Sequence, residues 1–591
     1  MSNSKLVYYV LVVFLCFNCS RVSSYFNTSS STLKYICPPQ QSGALLHFKQ
    51  SLFSFNHPYF HFRCLDSLGY HPIMMNWNTN TDCCDWNGVT CDHSTGDVIG
   101  LDLSCGMLKG TIHPNTSFFN LPHLQRLNLA FNDFSGSIIP PEIGRLSKTL
   151  THLSISHCLF SGKVPLNITL LYNLVSLDLS YNYDAILEPH VFVGLLRNFT
   201  SLKQLSLSFL NINSSLPSYP NISYPSLNIL NLRGAELYGK LPSDIFNIQS
   251  LEILDLAENS FTLISHIPSE TSLLPNLVSL DLSGNQGLKF DYHILNNLLN
   301  SSTLLKDLSL SHVNFSGVLA LPHLNNNLSF LNYVDLSYCN LMGSLPKSPL
   351  NMSNLAHLDL SGNKLNGTLP SWLFTLPSLE YLVLEDNMFT GDVSFALPHL
   401  KYISLAHNQL GGQIDQSLIM KSTNLSHLDL SFNSFNIDWE LSTLLSRLTN
   451  IDLLDLSYSG LSVTTSNAEN ISNPNMRYLY LNSCKLKEFP VSLRSMTNLQ
   501  RLQLTNNEIH GDLSIEADGY GLDLLDLSHN LITSLSQIQL YGLEYLHLQS
   551  NQIQGPFPSS ICNMSYLRLL DLSNNRFSGE IPRCSGNINC L

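Results

Sequence analysis

The stretch from Leu355 to Ser378, LAHLDLSGNKLNGTLPSWLFTLPS, carries the rule by which most of the chain is built. Leu355, Leu358 and Leu360 stand at LxxLxL spacing, so a short extended segment puts its leucines on one side and Asp359 and Ser361 on the other. Asn363 falls where the chain must turn, and its amide can bond the otherwise unpaired main chain of that turn and of the next coil. Leu365 returns to the core, Gly367 permits the following bend, and Pro370 fixes φ where a short helical back segment begins. Leu373 and Leu376 close the coil from behind.

One such coil cannot bury its leucines alone. The next copy begins at Leu379, and stacked copies make a continuous core flanked by an asparagine ladder, the logic of a leucine-rich-repeat solenoid. Twenty copies run from Val98, with first positions at Val98, Leu124, Leu150, Leu174, Leu202, Leu227, Leu251, Leu277, Leu305, Leu331, Leu355, Leu379, Leu400, Leu425, Ile451, Met476, Leu499, Leu522, Leu543 and Leu567. At about 4.8 Å per strand, the inner parallel sheet spans roughly 90 Å.

A solenoid grows in one dimension, so the 591 residues need only one elongated domain. The formal charge of −14 argues against nucleic acid or an anionic membrane surface, both of which require basic stripes. Only 12% of residues are charged, about half the usual share, so Ser, Thr, Asn and sugars must solvate the surface. Residues 1–24 read as a secretory signal peptide: Lys5, an apolar run from Leu6 to Phe17, then Val22 and Ser24 at small-residue cleavage positions. The run is too short to span a bilayer, and no later run is long enough, which makes the chain as given soluble and extracytoplasmic.

Residues 25–97 differ from the repeats. Gln41 to Phe53 has apolar residues at helical spacing, with Leu45, Leu46, Phe48, Leu52 and Phe53 available to cover the first coil. The following DCCDWNGVTCDHSTGDVIGLDLSC, from Asp82 to Cys105, admits a zinc site with His93, but secretion favours disulfides and a stapled cap.

These residues carry a specific resemblance. The early helix, the Asp82, Cys83, Cys84, Trp86, Gly88, Val89, Cys91 run, and Thr95, Gly96, Val98, Ile99, Leu101, Asp102, Leu103, Ser104, Cys105 resemble the cap and first repeat of plant leucine-rich-repeat receptor-like proteins, the Cf-type resistance proteins in particular. The segment around Cys64 is similar to that subgroup too. The resemblance implies Cys37 paired with Cys83 and Cys84 with Cys91, which leaves Cys64 for Cys105. The LxGxxP segments, such as Leu237, Gly239 and Pro242, or Phe577, Gly579 and Pro582, resemble the plant-specific repeat class, which adds a second short strand. The fold class so implied is an α/β repeat solenoid, a right-handed plant-type superhelix over residues 98–591 with a disulfide-stapled amino-terminal cap. The chain stops at CSGNINCL without a closing cap or the transmembrane helix of full-length relatives, and so reads as a truncated ectodomain.

Cys158, Cys339 and Cys484 occupy the ladder position otherwise held by Asn132, Asn182, Asn363 or Asn575, where a small buried group with a weak S–H donor fits; they read as structural free thiols. Cys562 and Cys584 sit on the back of adjacent coils and are expected to pair. Recurring aspartates, among them Asp178, Asp255, Asp281, Asp335, Asp359, Asp429, Asp455, Asp526 and Asp571, follow the repeat and read as solvated consensus residues rather than acid/base pairs. There is no HExxH, phosphate-cradling glycine loop, GxSxG elbow or kinase signature, so no catalytic, cofactor or metal residue is assigned.

The resemblance implies the extracellular recognition region of a receptor that lacks its own kinase and acts at the plasma membrane, in defence or development, through an adaptor kinase and a co-receptor kinase. The alternative is a secreted inhibitor of a microbial wall-degrading enzyme, similar to polygalacturonase-inhibiting proteins, which have about half as many repeats. Fourteen N-x-S/T sequons after the signal peptide predict glycosylation at Asn27, Asn115, Asn167, Asn198, Asn213, Asn221, Asn300, Asn314, Asn327, Asn351, Asn366, Asn424, Asn470 and Asn563, with Asn314, Asn327 and Asn424 close enough to repeat positions to be shielded. A peptide, protein or glycan ligand is expected on the concave strand face, at positions departing from the LDLS pattern: Tyr381, Val383, Glu385 and Tyr402; Tyr478, Tyr480, Arg501 and Gln503; Tyr545, His547 and Gln549. The span from Tyr478 to Gln549 is the preferred contact region, because aromatics and Arg supply rigid area and directional hydrogen bonds.

Overall fold

In each coil the LxxLxL segment forms a three-residue strand whose middle residue points inward, and these strands pair in sequence order. The computed structural model describes residues 36–54, 64, 73–217, 226–264, 273–290, 292–315, 328–347, 351–393, 399–414, 419, 421–465, 473–490, 493, 496–515, 521–538, 540 and 542–580. The inner sheet begins with Val89–Cys91 antiparallel to Val98–Asp102 and continues through parallel strands to Leu569–Asp571. It is open: among the described residues each end strand has one neighbour. Leu358 faces Leu382, which faces Ile403, then Leu428 and Leu454, without a register slip. A slip of one residue would turn these side chains to solvent, so the buried leucines hold the register. Each fully buried Leu contributes about 1.5–3 kcal/mol.

Asn363 performs the expected double service. Its Nδ2 donates to Leu360 O of its own coil (2.9 Å) and Leu336 O of the preceding one (2.8 Å), while Oδ1 accepts from Leu341 N (2.9 Å). Asn387, Asn408 and Asn433 repeat the pattern. The flanking second strands also form: Lys364–Thr368 pairs with Met342–Ser344 on one side and Met388–Gly391 on the other. Gly367 has φ +77°, the left-handed value that its side-chain-free backbone tolerates. Pro370 precedes the 3-10 segment Ser371–Thr375, and Leu373 is fully buried.

The three cysteines at the ladder position are free and buried. Each thiol donates to a carbonyl of the preceding coil, Cys158 to Leu129 O (3.0 Å), Cys339 to Leu310 O (2.9 Å) and Cys484 to Leu456 O (3.3 Å). A thiol cannot also reproduce the carboxamide oxygen as acceptor, and the backbone adjusts instead. Leu159, Asn340 and Lys485, the residues after each cysteine, turn to positive φ, and the cysteine carbonyl accepts the amide of Phe134, Phe315 or Val463.

The cap contains the disulfides Cys37–Cys83, Cys64–Cys105 and Cys84–Cys91, with Cα separations of 5.7, 5.9 and 5.5 Å. Its helix, Pro39–Gln50, buries Leu45 and Phe48, and Phe48 meets Phe118 of the first repeat edge-on at 5.0 Å. The helix is shorter than its apolar spacing suggests. Ser51 caps it, its Oγ donating to Phe48 O at 2.7 Å, and Phe53 enters a strand paired with Lys109 instead of lengthening the helical face. The segment 1–24 and Cys584 lie outside the described residues; Cys562 is disulfide-bonded. Among the described residues no helix is long and apolar enough to cross a membrane.

Candidate ligand-recognition face

Four side-chain rows run along the concave face, one residue from each coil in each row. In the coil of Leu358 they are His357, Asp359, Ser361 and Gly362. The parallel register therefore juxtaposes residues that stand about two dozen positions apart in sequence.

The second-row aspartates are not uniformly solvated. Asp255, Asp281 and Asp335 are no more than 5% exposed, which corrects the reading of these residues as open to water. The cause is local: Oδ1 accepts the amide two residues on, as in Ser361 N to Asp359 (2.9 Å) and Ser457 N to Asp455 (2.8 Å), folding the carboxylate against the strand exit. The D-L-S pattern is thus a turn-capping device. Burial, with a neighbouring carboxylate next in weight, pushes Asp359 and Asp455 up to about 6. Asp255 is raised by burial and by Asp281, opposed by Arg233, which also pairs with Glu258 at 2.7 Å and with Asp281. Arg233 bridges three coils, and nothing in its own repeat announced it.

Tyr381, Val383 and Glu385 occupy the first, second and third rows of one coil, and Tyr402 follows Tyr381 in the first row with ring centroids 6.1 Å apart. Glu385 accepts from Ser404 Oγ at 2.6 Å. The first row extends beyond these two tyrosines. Tyr333 stacks on His357 at 4.4 Å, His357 leans on Tyr381 at 5.6 Å, and Tyr402 stacks on His427 at 3.9 Å. Tyr333, His357 and His427 were not among the expected contact residues. Reading down one column of the aligned copies, rather than along each copy, would have found them.

The structure brings Tyr478, Tyr480, Arg501 and Gln503 together on adjacent strands, Tyr478 beside Arg501 and Tyr480 beside Gln503. Arg477 lies over the Tyr478 ring at 5.5 Å and pairs with Asp452. Arg501 is 52% exposed at its side chain, and its Nε lies 3.9 Å from Asp523. The coil of Leu524 and Asp526 separates this group from Tyr545, His547 and Gln549, so the preferred region is two patches rather than one.

A fourth-row feature went unread in the sequence. The residue before each ladder position adopts positive φ, even when it is Phe131, His157, Tyr181 or Phe209. Left-handed backbone costs an aromatic residue about 1–2 kcal/mol. It aims the amide at the next coil, as in His157 N to Ser180 O (3.0 Å), and the rings stack, His157 on Tyr181 at 4.0 Å. Gly362 continues the row where the Tyr338 ring lies flat on its backbone and leaves no room for a Cβ.

Of the sequons within the described residues, Asn115, Asn167, Asn198, Asn213, Asn300, Asn351, Asn366, Asn424 and Asn563 are exposed and Asn314 is half-buried. Asn424 is therefore not shielded, because it lies on the turn before its strand rather than within the strand. None of these asparagines stands in the four concave rows. Asn27, Asn221, Asn327 and Asn470 lie outside the described residues.

Comparison with known proteins adds the wider context. The Leucine rich repeat N-terminal domain family matches residues 38–92, and Leucine rich repeat families match residues 123–146, 329–389 and 521–577. Receptor-like protein 6 of Arabidopsis thaliana is 34% identical across 98% of this chain, which spans 63% of that relative's length. Receptor-like protein Cf-9 of Solanum pimpinellifolium is 38% identical over 44% of this chain and 29% of its own. Among solved structures, the plant peptide hormone receptor RGFR1 in complex with RGF2 is similar at 25% identity and a TM-score of 0.60, covering 85% of each chain. The receptor-like leucine-rich-repeat family matched here is non-enzymatic. Over most of its length, the chain is a homologue of the plant leucine-rich-repeat receptor-like proteins.

Proposed function

We propose that the chain is the extracellular ligand-recognition region of a kinase-less receptor-like protein that acts at the plasma membrane through partner receptor kinases. The observation that carries this reading is the homology to Receptor-like protein 6 along 98% of the chain. The concave face supports it: a long row of presented side chains without a sequon among the described residues, which leaves room for a ligand where sugars would obstruct one. The main contacts are Tyr478, Tyr480, Arg501, Gln503, Tyr545, His547 and Gln549, since aromatic and arginine side chains dominate interface energetics. The solvent-facing asparagines of the back and flanks carry glycans.

The test is capture of apoplastic peptides and proteins on the tagged chain expressed in leaves, with mass spectrometric identification. Ligands and leucine-rich-repeat receptor kinases enriched by the parent and depleted with Tyr480→Ala/Arg501→Ala/Tyr545→Ala are the expected result. Equal enrichment by both chains overturns the contact assignment. Inhibition of a fungal polygalacturonase by the purified chain, with no kinase recovered, favours the secreted-inhibitor reading instead.

A further inference from the structure

From the coil of Tyr333 to that of Leu453, no Lys or Arg stands in any of the four concave rows. The nearest cations stand one position outside the first row, and Lys401 is paired with Glu380 at 2.8 Å. The first row is a wall of rings, Tyr333, His357, Tyr381, Tyr402 and His427. Tyr333 with His357 and Tyr402 with His427 are stacked at 4.4 and 3.9 Å, while Tyr381 between them is exposed. Beside this wall run Asp359, Asp429 and Asp455, with Glu385 and Asp386 in the next rows, and no ion pair joins any of these five to a cation among the described residues.

We propose that this trough binds an extended peptide through one basic side chain and others four and six residues along from it. Charge complementarity selects the basic occupant. The spacing follows from geometry: Asp359 and Asp429 are three coils apart, about 14 Å, and Asp359 and Asp455 four coils apart, about 19 Å, against about 3.3 Å per residue of extended peptide. An even spacing keeps the basic side chains on one side of the peptide. Burial first and a neighbouring carboxylate second raise Asp359 and Asp455 to about 6, which leaves both mostly ionised at pH 7. The inference rests on the concave face being the recognition face and names the chemistry of one subsite.

The experiment uses the whole chain and a fluorescein-labelled octapeptide with lysine at its first, fifth and seventh positions and serine elsewhere, read by anisotropy at pH 7 in 150 mM salt. Asp359→Asn/Asp429→Asn/Asp455→Asn removes three charges and keeps the turn, because Asn128 and Asn231 already accept the equivalent amide at 3.1 and 3.2 Å. An equal-charge control, Asp184→Asn/Glu236→Gln/Glu508→Gln, changes exposed residues off the concave face. Binding of the lysine peptide but not its glutamate counterpart, weakened at least tenfold by the concave variant and less than twofold by the control, is expected. No binding by the parent, no change in the concave variant, or equal weakening by both variants overturns the proposal. A chain that captures apoplastic ligands through Tyr480, Arg501 and Tyr545 yet ignores the lysine peptide overturns the trough alone.

Discussion

Tyr402 lies flat against His427, ring centroids 3.9 Å apart and planes 14° from parallel, though the two belong to different coils. The contact excludes water from the imidazole, and burial holds His427 down at about 4. The group therefore titrates far below the usual histidine range while sitting on a functional face.

Removing the covering ring should restore ordinary histidine behaviour. Tyr402→Ala is expected to raise the His427 pKa by one to two units, read by NMR titration of the imidazole. The stability sign follows from linkage: with the folded pKa depressed, the unfolded chain binds the proton first. The penalty then grows as pH falls from about 6.5 to about 4, reaching on the order of 3 kcal/mol. An unchanged titration in the variant counts against burial as the cause.

Asp359 has the opposite sign. Its folded pKa, about 6, lies above the unfolded value, so protonation stabilises the fold as pH falls through 6 toward 4, and the charged form is a cost above that window. Asp359→Asn should stabilise the chain by about 1–3 kcal/mol at pH 7.5, with the advantage gone at pH 4. Thermal melts at the two pH values compare variant with parent; a loss of stability at pH 7.5 rejects the account.

Asn363→Ala leaves the carbonyls of Leu336 and Leu360 and the amide of Leu341 short of their buried partner, and should cost about 2–4 kcal/mol. Cys339→Ala removes only one weak S–H donor, and about 1 kcal/mol is expected. Hydrogen exchange should show the Leu341 amide opening markedly in the asparagine variant. Similar protection in both variants would refute the ladder's unequal energetics.

The three ladder thiols should be inert. Burial pushes Cys339 and Cys484 up to about 12 and raises Cys158 still further, so almost no thiolate forms at pH 8. Iodoacetamide should label none of them in the native chain and all of them in guanidinium. Native labelling at any one contradicts the burial argument.

Glycopeptide mapping of plant-expressed protein should find Asn115, Asn167, Asn198, Asn300, Asn351, Asn424 and Asn563 occupied more fully than the half-buried Asn314. Higher occupancy at Asn314 than at the exposed sites would sink the exposure rule.

The coil was legible in the single stretch from Leu355 to Ser378, because its leucine spacing, ladder asparagine, bend glycine and proline each act within one repeat. Solvation was not legible. Asp359 looks like an open surface residue in sequence, and only the amide of Ser361 and the close neighbouring coils show that it is partly withdrawn from water. The cysteine at a ladder position was read correctly as a small donor, but the compensating turn at Asn340 depends on which atom faces the preceding coil. The aromatic wall likewise arises between coils: Tyr333, His357, Tyr381, Tyr402 and His427 are ordinary single departures until parallel register stacks them. Sequence alone determined the repeat, its buried leucines and the stapled cap, since those follow from the periodicity and chemistry of adjacent residues. Tertiary structure decided the charge states and the binding surface, because side chains from different coils come together only at the strand spacing of the assembled sheet.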